Sequence, residues 1–301
     1  VPYLGTSRTL TKAFLVSAWR GNGECVGNEV SEAFRIIIRN ANHIQKGQWL
    51  VDKRSAFDYK RLVYQNFCQE AEKDLLDINE VEDLEECLGN GSVSLRQSLL
   101  LSVPAEAAAS YSLLQAVAEP VNDYWLWESK PHFNSQSLRE WWLKFKFKVS
   151  EKLFEKVLEE SPAAIAIAIE TYYKKVASEI SSPLSSNSRN SLERLYVDFS
   201  RKFFYCEVFS LAGFGRAYGE LLQTERERRI AILVCGLEKY RDRFNEWPED
   251  IGVLGEQGYI IEDPVTGESF SYEAGKDKVR VEAPESFEYE SISVMLNRKE
   301  K

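Results

Sequence analysis

The sequence predicts a mainly α, multi-helical protein that ends in a small antiparallel β-hairpin. Most of the 301 residues lie in segments whose apolar positions recur at the three- and four-residue spacing of an amphipathic helix. Two short segments near the C-terminus, 269–273 and 279–282, alternate between apolar and polar residues as strands do. Hydrophobic residues make up 44% and charged residues 28% of the chain, which is typical of a globular protein with a buried core.

The chain is predicted to begin with two helices, at 7–20 and 28–45. The glycine-rich turn GNGECVG at 21–27 separates them, so the pair makes an αα-hairpin. Pro104 is expected to begin a new helix, because proline suits the first helical turn. The other predicted helices are 55–74, 79–88, 92–103, 137–160, 162–180, 192–212 and 216–245.

A serine-rich run, SSPLSSNSRNS at 181–191, is predicted to be a flexible linker. It would divide the chain into a helical domain at 1–180 and a helical region at 192–301 that carries the β-hairpin. The alternative is one continuous domain. The chain is long enough for either arrangement.

Several residues after the last long helix are predicted to form turns. Asn245 suits the left-handed conformation that closes a helix. Trp247-Pro248 then leads the chain out of the helix, because proline cannot continue it. The segment DPVTGE, which begins at Asp263, is predicted to be a turn in which Pro264 presets φ and Gly267 takes a positive φ.

The string LEKYRDRFNEWPEDIGVLGEQGYIIEDPVTGESFSY at 237–272 resembles the end of the globular head of type II secretion pseudopilins. In that family a helix ends in a Gly-x-Tyr-Pro step, and a loop, an Asp-Pro-x-x-Gly turn and a strand ending in tyrosine follow. A broad set of bacterial envelope proteins with long helical N-terminal parts ends in the same way. The positions of this chain that correspond to the pattern are Asn245, Trp247, Pro248, Asp263, Pro264, Gly267 and Tyr272.

Two departures from the family are clear. Asn245 and Trp247 stand where the pattern has glycine and tyrosine, and some 230 residues precede the motif without the family's prepilin methylation segment. The resemblance therefore implies a pilin-type hairpin reused to cap a helical domain. It also implies an extracytoplasmic location, periplasmic or facing the periplasm, with a protein partner. Because the chain begins with Val1, the expected tether is an N-terminal anchor that has been removed.

Pseudopilins can bind calcium in this region, and the acidic residues Glu262, Asp263 and Glu268 could supply oxygen ligands here. Calcium needs six to eight such ligands, so the alternative is an ordinary acidic turn. Otherwise no metal and no cofactor is predicted. GNGECVG and GFGRAYG, at 21–27 and 213–219, lack the spacing of a dinucleotide-binding loop and do not follow strands.

The net charge is −9, and residues 249–301 carry 13 acidic against 6 basic side chains. This balance argues against a nucleic-acid partner, which needs a basic face, and against simple adhesion to anionic lipid. The five cysteines form no CxxC pair, so they are interpreted as buried apolar side chains. A disulfide such as Cys25–Cys68 is the alternative. The acidic run in 80–86 is interpreted as a solvated helix face.

The main candidate binding surface is a cluster of tyrosine and tryptophan side chains within residues 124–142, which we call the aromatic cluster. Such side chains could stack on sugars or anchor a protein partner, or they could simply belong to a helical core. The favoured hypothesis is a non-catalytic extracytoplasmic protein-interaction or scaffolding protein. The alternatives are a glycan- or peptidoglycan-binding protein that uses this cluster, and a hydrolase based on carboxylates. The cluster consists of Tyr124, Trp125, Trp127, Trp141 and Trp142.

Overall fold

The structure is a computed structural model. It describes residues 27–74, 77–89, 94–118, 162–203, 213–283, 285, 289 and 291–297. The predicted helices at 7–20 and 137–160, the turn at 21–26 and the aromatic cluster lie outside these residues.

The described part of the chain is mainly α-helical with a small C-terminal antiparallel sheet, which confirms the predicted fold class. Its elements, in chain order, are α1 (Gly27–Gln45), α2 (Leu50–Glu72), α3 (Ile78–Gly89), α4 (Leu95–Ala118), α5 (Pro162–Ser181), α6 (Ser186–Phe203), α7 (Gly213–Phe244), α8 (Gly252–Glu256), β1 (Ser271–Ala274), β2 (Lys278–Ala283) and β3 (Ile292–Asn297).

Helix α7 is the central element. Its 32 residues extend over about 48 Å at the usual helical rise. Helices α2, α3, α4 and α6 all pack against it. Leu221, Leu222, Ile230 and Val234 are fully buried, so α7 contributes apolar side chains to the core along most of its length.

Helices α2 and α7 run parallel, as their interhelical ion pairs show. Arg54 pairs with Glu220, Arg61 with Glu227, and Asp74 with Arg241. The sequence separations of these pairs are 166, 166 and 167 residues. The first two pairs are one heptad apart on both helices, which is the repeat expected for two helices that stay in register side by side.

The apolar core consists of two clusters of buried residues. One joins α1, α3, the sheet and the C-terminal half of α7, from Ile230 to Leu237. The other joins α4, α5, α6 and the N-terminal half of α7, from Phe214 to Leu222. Between the two halves of α7 lies a run of seven polar residues, QTERERR at 223–229. We call this run the charged belt.

The sheet has the order β1–β2–β3, and both pairings are antiparallel. The predicted hairpin is present, since Ala274 pairs with Val279 and Tyr272 with Val281. The sequence interpretation missed the third strand, in which Val294 pairs with Val281. Alternate residues of β2 and β3 are buried, so one face of the sheet packs on the core.

The C-terminal module, which comprises the described residues from 245 to 297, begins with the turns that the sequence predicts. Asn245 has φ of 56° and Gly267 has φ of 77°, both in the left-handed region. The Asn245 N–H donates to the carbonyl of Arg241 at 2.7 Å and so closes α7. Trp247 is buried, and the Arg241 guanidinium lies over its ring at 5.1 Å. The Tyr272 hydroxyl donates to the carbonyl of Pro248 at 2.6 Å, which ties β1 to the end of the helix.

Two predicted boundaries are wrong. Pro104 does not begin a new helix but lies inside α4. Proline removes one helical hydrogen bond there, and the helix continues because Leu99 and Val103 beside it are buried in the second apolar cluster. Residues 186–191, predicted to be part of a flexible linker, form the start of α6. The Ser185 hydroxyl accepts the N–H of Ser188 at 3.3 Å, as a helix N-cap does, so only 182–185 lie between the helices.

The acidic run in α3 is only partly the solvated face that the sequence predicts. Glu82, Asp83 and Glu86 are exposed, but Glu80 is buried. Its carboxylate accepts the Asp77 N–H at 3.0 Å, and the Asp77 carboxylate accepts the Glu80 N–H at 2.9 Å. This reciprocal pair is a capping box, which explains why a carboxylate is buried at the start of α3.

Candidate functional site

The charged belt is the most unusual local feature of the described chain. Seven consecutive polar residues cover every face of a helix, so a helix that is buried on several sides must bury some of them. Thr224 and Arg226 are fully buried, and Glu227 is 3% exposed. Charged side chains this deep need fixed partners, because burial of an unpaired charge is costly.

Arg226 pairs with Asp263 of the C-terminal module. The Arg226 Nε and a terminal nitrogen lie 3.0 and 2.9 Å from Oδ2 of Asp263. The other Asp263 oxygen accepts the N–H of Val265 at 2.9 Å. The two side chains are 0% and 1% exposed. This ion pair holds the predicted Asp-Pro turn against the middle of α7.

Both oxygens of Asp263 are therefore occupied by donors, one of them a cation, which disfavours the predicted calcium option at Glu262, Asp263 and Glu268. Glu262 and Glu268 are exposed on the turn. Across the residues that the structure describes, no group of three or more His, Cys, Asp or Glu side chains is placed to hold a metal ion. At this turn Asp263 acts as the partner of Arg226 and not as an open oxygen ligand.

Glu225 faces two cations of the belt. Arg228 contacts it through two nitrogens at 2.8 and 2.7 Å, and Arg229 Nε lies 3.1 Å away. Burial alone would raise the pKa of Glu225, but the hydrogen bonds and positive charges of Arg228 and Arg229 outweigh burial and lower this pKa. Glu225 therefore stays ionised, and its charge is shared between two guanidinium groups.

A cavity of about 320 Å³ adjoins this part of the belt. It lies where α1, α2, α3, α4 and α7 meet, and we call it the basic cavity. Three of its lining side chains are cationic, Lys60, Arg96 and Arg228, and one is anionic, Glu225. Its volume lies at the lower end of the range for small-molecule sites.

Lys60 is a buried cation of the basic cavity. It is 4% exposed, and its ammonium donates to the side-chain oxygen of Gln45. Burial, reinforced by the positive charge of Arg228, lowers the pKa of Lys60 to about 8. A buried lysine with a lowered pKa in a cavity is a recognised mark of a functional site.

The basic cavity has the chemistry of an anion site. Arg96 of α4 donates to the carbonyl of Ser182, directly after α5, at 3.0 Å, which fixes the position of its guanidinium group. Arginine and lysine side chains bind carboxylate and phosphate oxygens through their guanidinium and ammonium groups. Because one acid faces three cations, the cavity carries a surplus of positive charge that a small anion would neutralise.

The described cysteines are shielded thiols. Cys68 and Cys235 are buried and Cys87 is half-buried at the basic cavity, and all three are free. Burial raises the pKa of each of them. They are therefore protonated at neutral pH and poor nucleophiles. The predicted alternative of a Cys25–Cys68 disulfide involves Cys25, which lies outside the described residues.

The structure does not bring the predicted binding residues to this site, since Tyr124, Trp125, Trp127, Trp141 and Trp142 lie outside the described residues. Sequence reasoning missed the basic cavity, because Lys60, Arg96 and Arg228 lie far apart in the chain. It also read 216–245 as one amphipathic helix. The uninterrupted polar run at 223–229, flanked by apolar positions on both sides, is the feature that could have revealed a buried charged belt.

Comparisons with protein-family models, with curated proteins and with solved structures find no match to this chain. Among the described helices, none combines the length and apolar character needed to cross a bilayer.

Proposed function

We propose that this protein is a non-catalytic binding protein that holds a small anion in the basic cavity. The observation that carries the proposal is the arrangement of Lys60, Arg96 and Arg228 around one cavity with a single acid, Glu225, among them. Glu225 is already engaged by Arg228 and Arg229. The ammonium of Lys60 is left with a neutral amide acceptor, and a bound anion would give it a charged partner.

Inorganic phosphate is the first probe, because it offers several acceptor oxygens to ammonium and guanidinium groups. Isothermal titration calorimetry should show that phosphate binds the wild-type protein. The Lys60→Met variant should bind phosphate about tenfold more weakly or worse, because it lacks one charge-assisted hydrogen bond. Lys175→Met, on the exposed face of α5, is the matched control and should bind phosphate as the wild type does. Equal affinities of all three proteins would refute the proposal.

We also propose that the protein is extracytoplasmic and that its C-terminal module is of pseudopilin type. The left-handed Asn245 and Gly267 and the tie between Tyr272 and Pro248 support the interpretation that this segment is a pilin-type cap on a helical body. A fusion of the full-length protein to a reporter that is active only outside the cytoplasm would test the location: an inactive reporter would contradict it.

A protein-interaction role is the second candidate function, and exposed apolar side chains at the start of α2 favour it. Trp49 and Val51 are 46% and 47% exposed and lie two residues apart. Exposed tryptophan is a frequent anchor of protein interfaces. A captured partner should be lost with Trp49→Gln but kept with Ile260→Gln, since Ile260 is equally exposed at 46% in the C-terminal module. Loss with both variants or with neither would contradict a docking surface at Trp49.

A further inference from the structure

A second cavity, of about 260 Å³, lies between α2, α7 and β3. Its lining differs in charge from the basic cavity. Glu72 and Glu227 are its charged residues, and Gln65, Gln223 and Ser293 are among the polar ones. We call it the acidic cavity. Tyr64 lines both cavities and stands between them.

Glu227 uses its two carboxylate oxygens unequally. One oxygen, Oε1, accepts hydrogen bonds from Arg61 Nε at 3.0 Å, Gln65 Nε2 at 3.1 Å and Gln223 Nε2 at 3.0 Å. The other oxygen, Oε2, is buried and has no hydrogen-bond partner in the part of the chain that the structure describes. A buried carboxylate oxygen without a donor is unfavourable, so it indicates a missing partner.

Gln223 repeats this pattern next to Glu227. Its amide nitrogen donates to Glu227, while its own oxygen is buried and finds no donor among the described residues. Both side chains line the acidic cavity, and they are 7% and 3% exposed. Two unsatisfied acceptors on neighbouring turns of α7 therefore border one cavity.

Groups with N–H donors and a positive charge would satisfy both acceptors. An ammonium group has three donors on a compact cation, so it can bridge a carboxylate oxygen and an amide oxygen. Two carboxylates are too few for calcium, which needs six to eight oxygens. The Glu72 carboxylate, which accepts the Met295 N–H at 2.9 Å, adds negative charge at the cavity edge.

We propose that the acidic cavity binds a primary ammonium group of a small organic amine, with Glu227 and Gln223 as its acceptors. This site is separate from the basic cavity, because Glu227 and Gln223 do not line that cavity. The two cavities together would give one protein a site for an anion and a site for a cation on either side of Tyr64.

Putrescine, a primary diamine, is the probe, and tetramethylammonium, a cation without N–H donors, is the comparison. Titrations at constant ionic strength should show binding of putrescine to the wild-type protein and no binding of tetramethylammonium. Glu227→Gln should weaken putrescine binding at least tenfold. Glu220→Gln, two turns earlier on α7 and also paired with an arginine, is the matched control and should leave this affinity unchanged.

Any of three results would overturn the proposal. These are equal binding of putrescine and tetramethylammonium, an equal loss of putrescine affinity in Glu227→Gln and Glu220→Gln, and no putrescine binding to the wild-type protein. Phosphate binding at Lys60 should persist in Glu227→Gln, which separates this site from the proposed function. If circular dichroism shows that Glu227→Gln does not fold, Glu72→Gln serves instead, because its amide oxygen can still accept the Met295 N–H. A several-fold weaker putrescine affinity is then expected, and an unchanged affinity would refute the site.

Discussion

At the scale of single residues, a buried ion pair joins α7 to the C-terminal module. Arg226 and Asp263 are both fully buried and contact each other at 2.9 Å. Such a pair contributes little net stability compared with apolar side chains, but removal of one partner leaves an uncompensated buried charge. The pair should therefore show strong coupling between its two positions.

Asp263→Asn is expected to lower the free energy of unfolding by about 3–5 kcal/mol, because the buried Arg226 would lose its ion pair with the Asp263 carboxylate. The double variant Arg226→Met/Asp263→Leu should lose less than the single variant, since neither charge remains. Urea denaturation measures both. Glu170→Gln, which breaks an exposed ion pair with Lys174 on α5, is the control and should leave stability unchanged. A double variant as unstable as the sum of its single variants would contradict the buried pair.

The conformations of single turn residues could be predicted from the sequence. Asn245 and Gly267 were predicted from local chemistry alone, and both adopt positive φ. Turn residues can be predicted because the constraint lies in one residue's own backbone. The partner of Asp263 could not be predicted, because Arg226 lies 37 residues away and only the folded chain brings them together.

At the scale of elements, glycine lets other groups approach α7 closely. A side-chain carbon added at Gly236 would lie 2.9 Å from the ring of Tyr259, which follows α8. Within the GFGRAYG segment, a carbon added at Gly219 would lie 3.0 Å from Arg189 of α6. Close packing of neighbouring elements thus explains these two glycines.

Gly236→Ala is expected to lower the free energy of unfolding by about 1 kcal/mol. The steric cost of displacing the Tyr259 ring, about 1–3 kcal/mol, outweighs the gain in helix propensity of about 1 kcal/mol. Thermal unfolding followed by circular dichroism measures the difference. Gly89→Ala, where an added carbon meets nothing within 4 Å, is the control and should not destabilise the protein. An unchanged or raised melting temperature of Gly236→Ala would contradict the close contact.

The existence of an element was predictable where apolar periodicity is strong, as in α1, because a segment with one apolar face at helical spacing is best satisfied by a helix. The short strand β3 was missed because it follows a polar segment and pairs only through contacts with β2. The continuity of α4 through Pro104 was missed for a similar reason: burial of Leu99 and Val103 in the second apolar cluster overrides the local preference of proline.

At the scale of the whole molecule, two apolar clusters meet at the charged belt. Helix α2 runs through both, since Phe57 belongs to one cluster and Val63 to the other. The same is true of α7. This sharing of two long helices favours the continuous-domain alternative over a division near residues 181–191. It also places the basic and acidic cavities next to the belt, where polar groups replace apolar packing.

The basic cavity could not be predicted from the sequence, because its cations come from α2, α4 and α7. Lys60 looks like an ordinary surface lysine in the chain, and only burial distinguishes it. The anion binding that we propose for Lys60 depends on its protonation. Below about pH 8 the ammonium is charged and can bind an anion, and above this pH it loses its proton. Anion affinity should therefore fall as the pH rises through 8.

The most direct test of the basic cavity is the pKa of Lys60 itself, measured by NMR on protein with labelled lysine and assigned with Lys60→Met. Without ligand the pKa should be about 8. Saturating phosphate should raise this pKa, because a bound anion stabilises the ammonium form. By linkage, the factor by which phosphate lowers the acid dissociation constant of Lys60 equals the factor by which phosphate affinity falls between low and high pH. A Lys60 pKa that does not change with phosphate would contradict an anion site at this cavity.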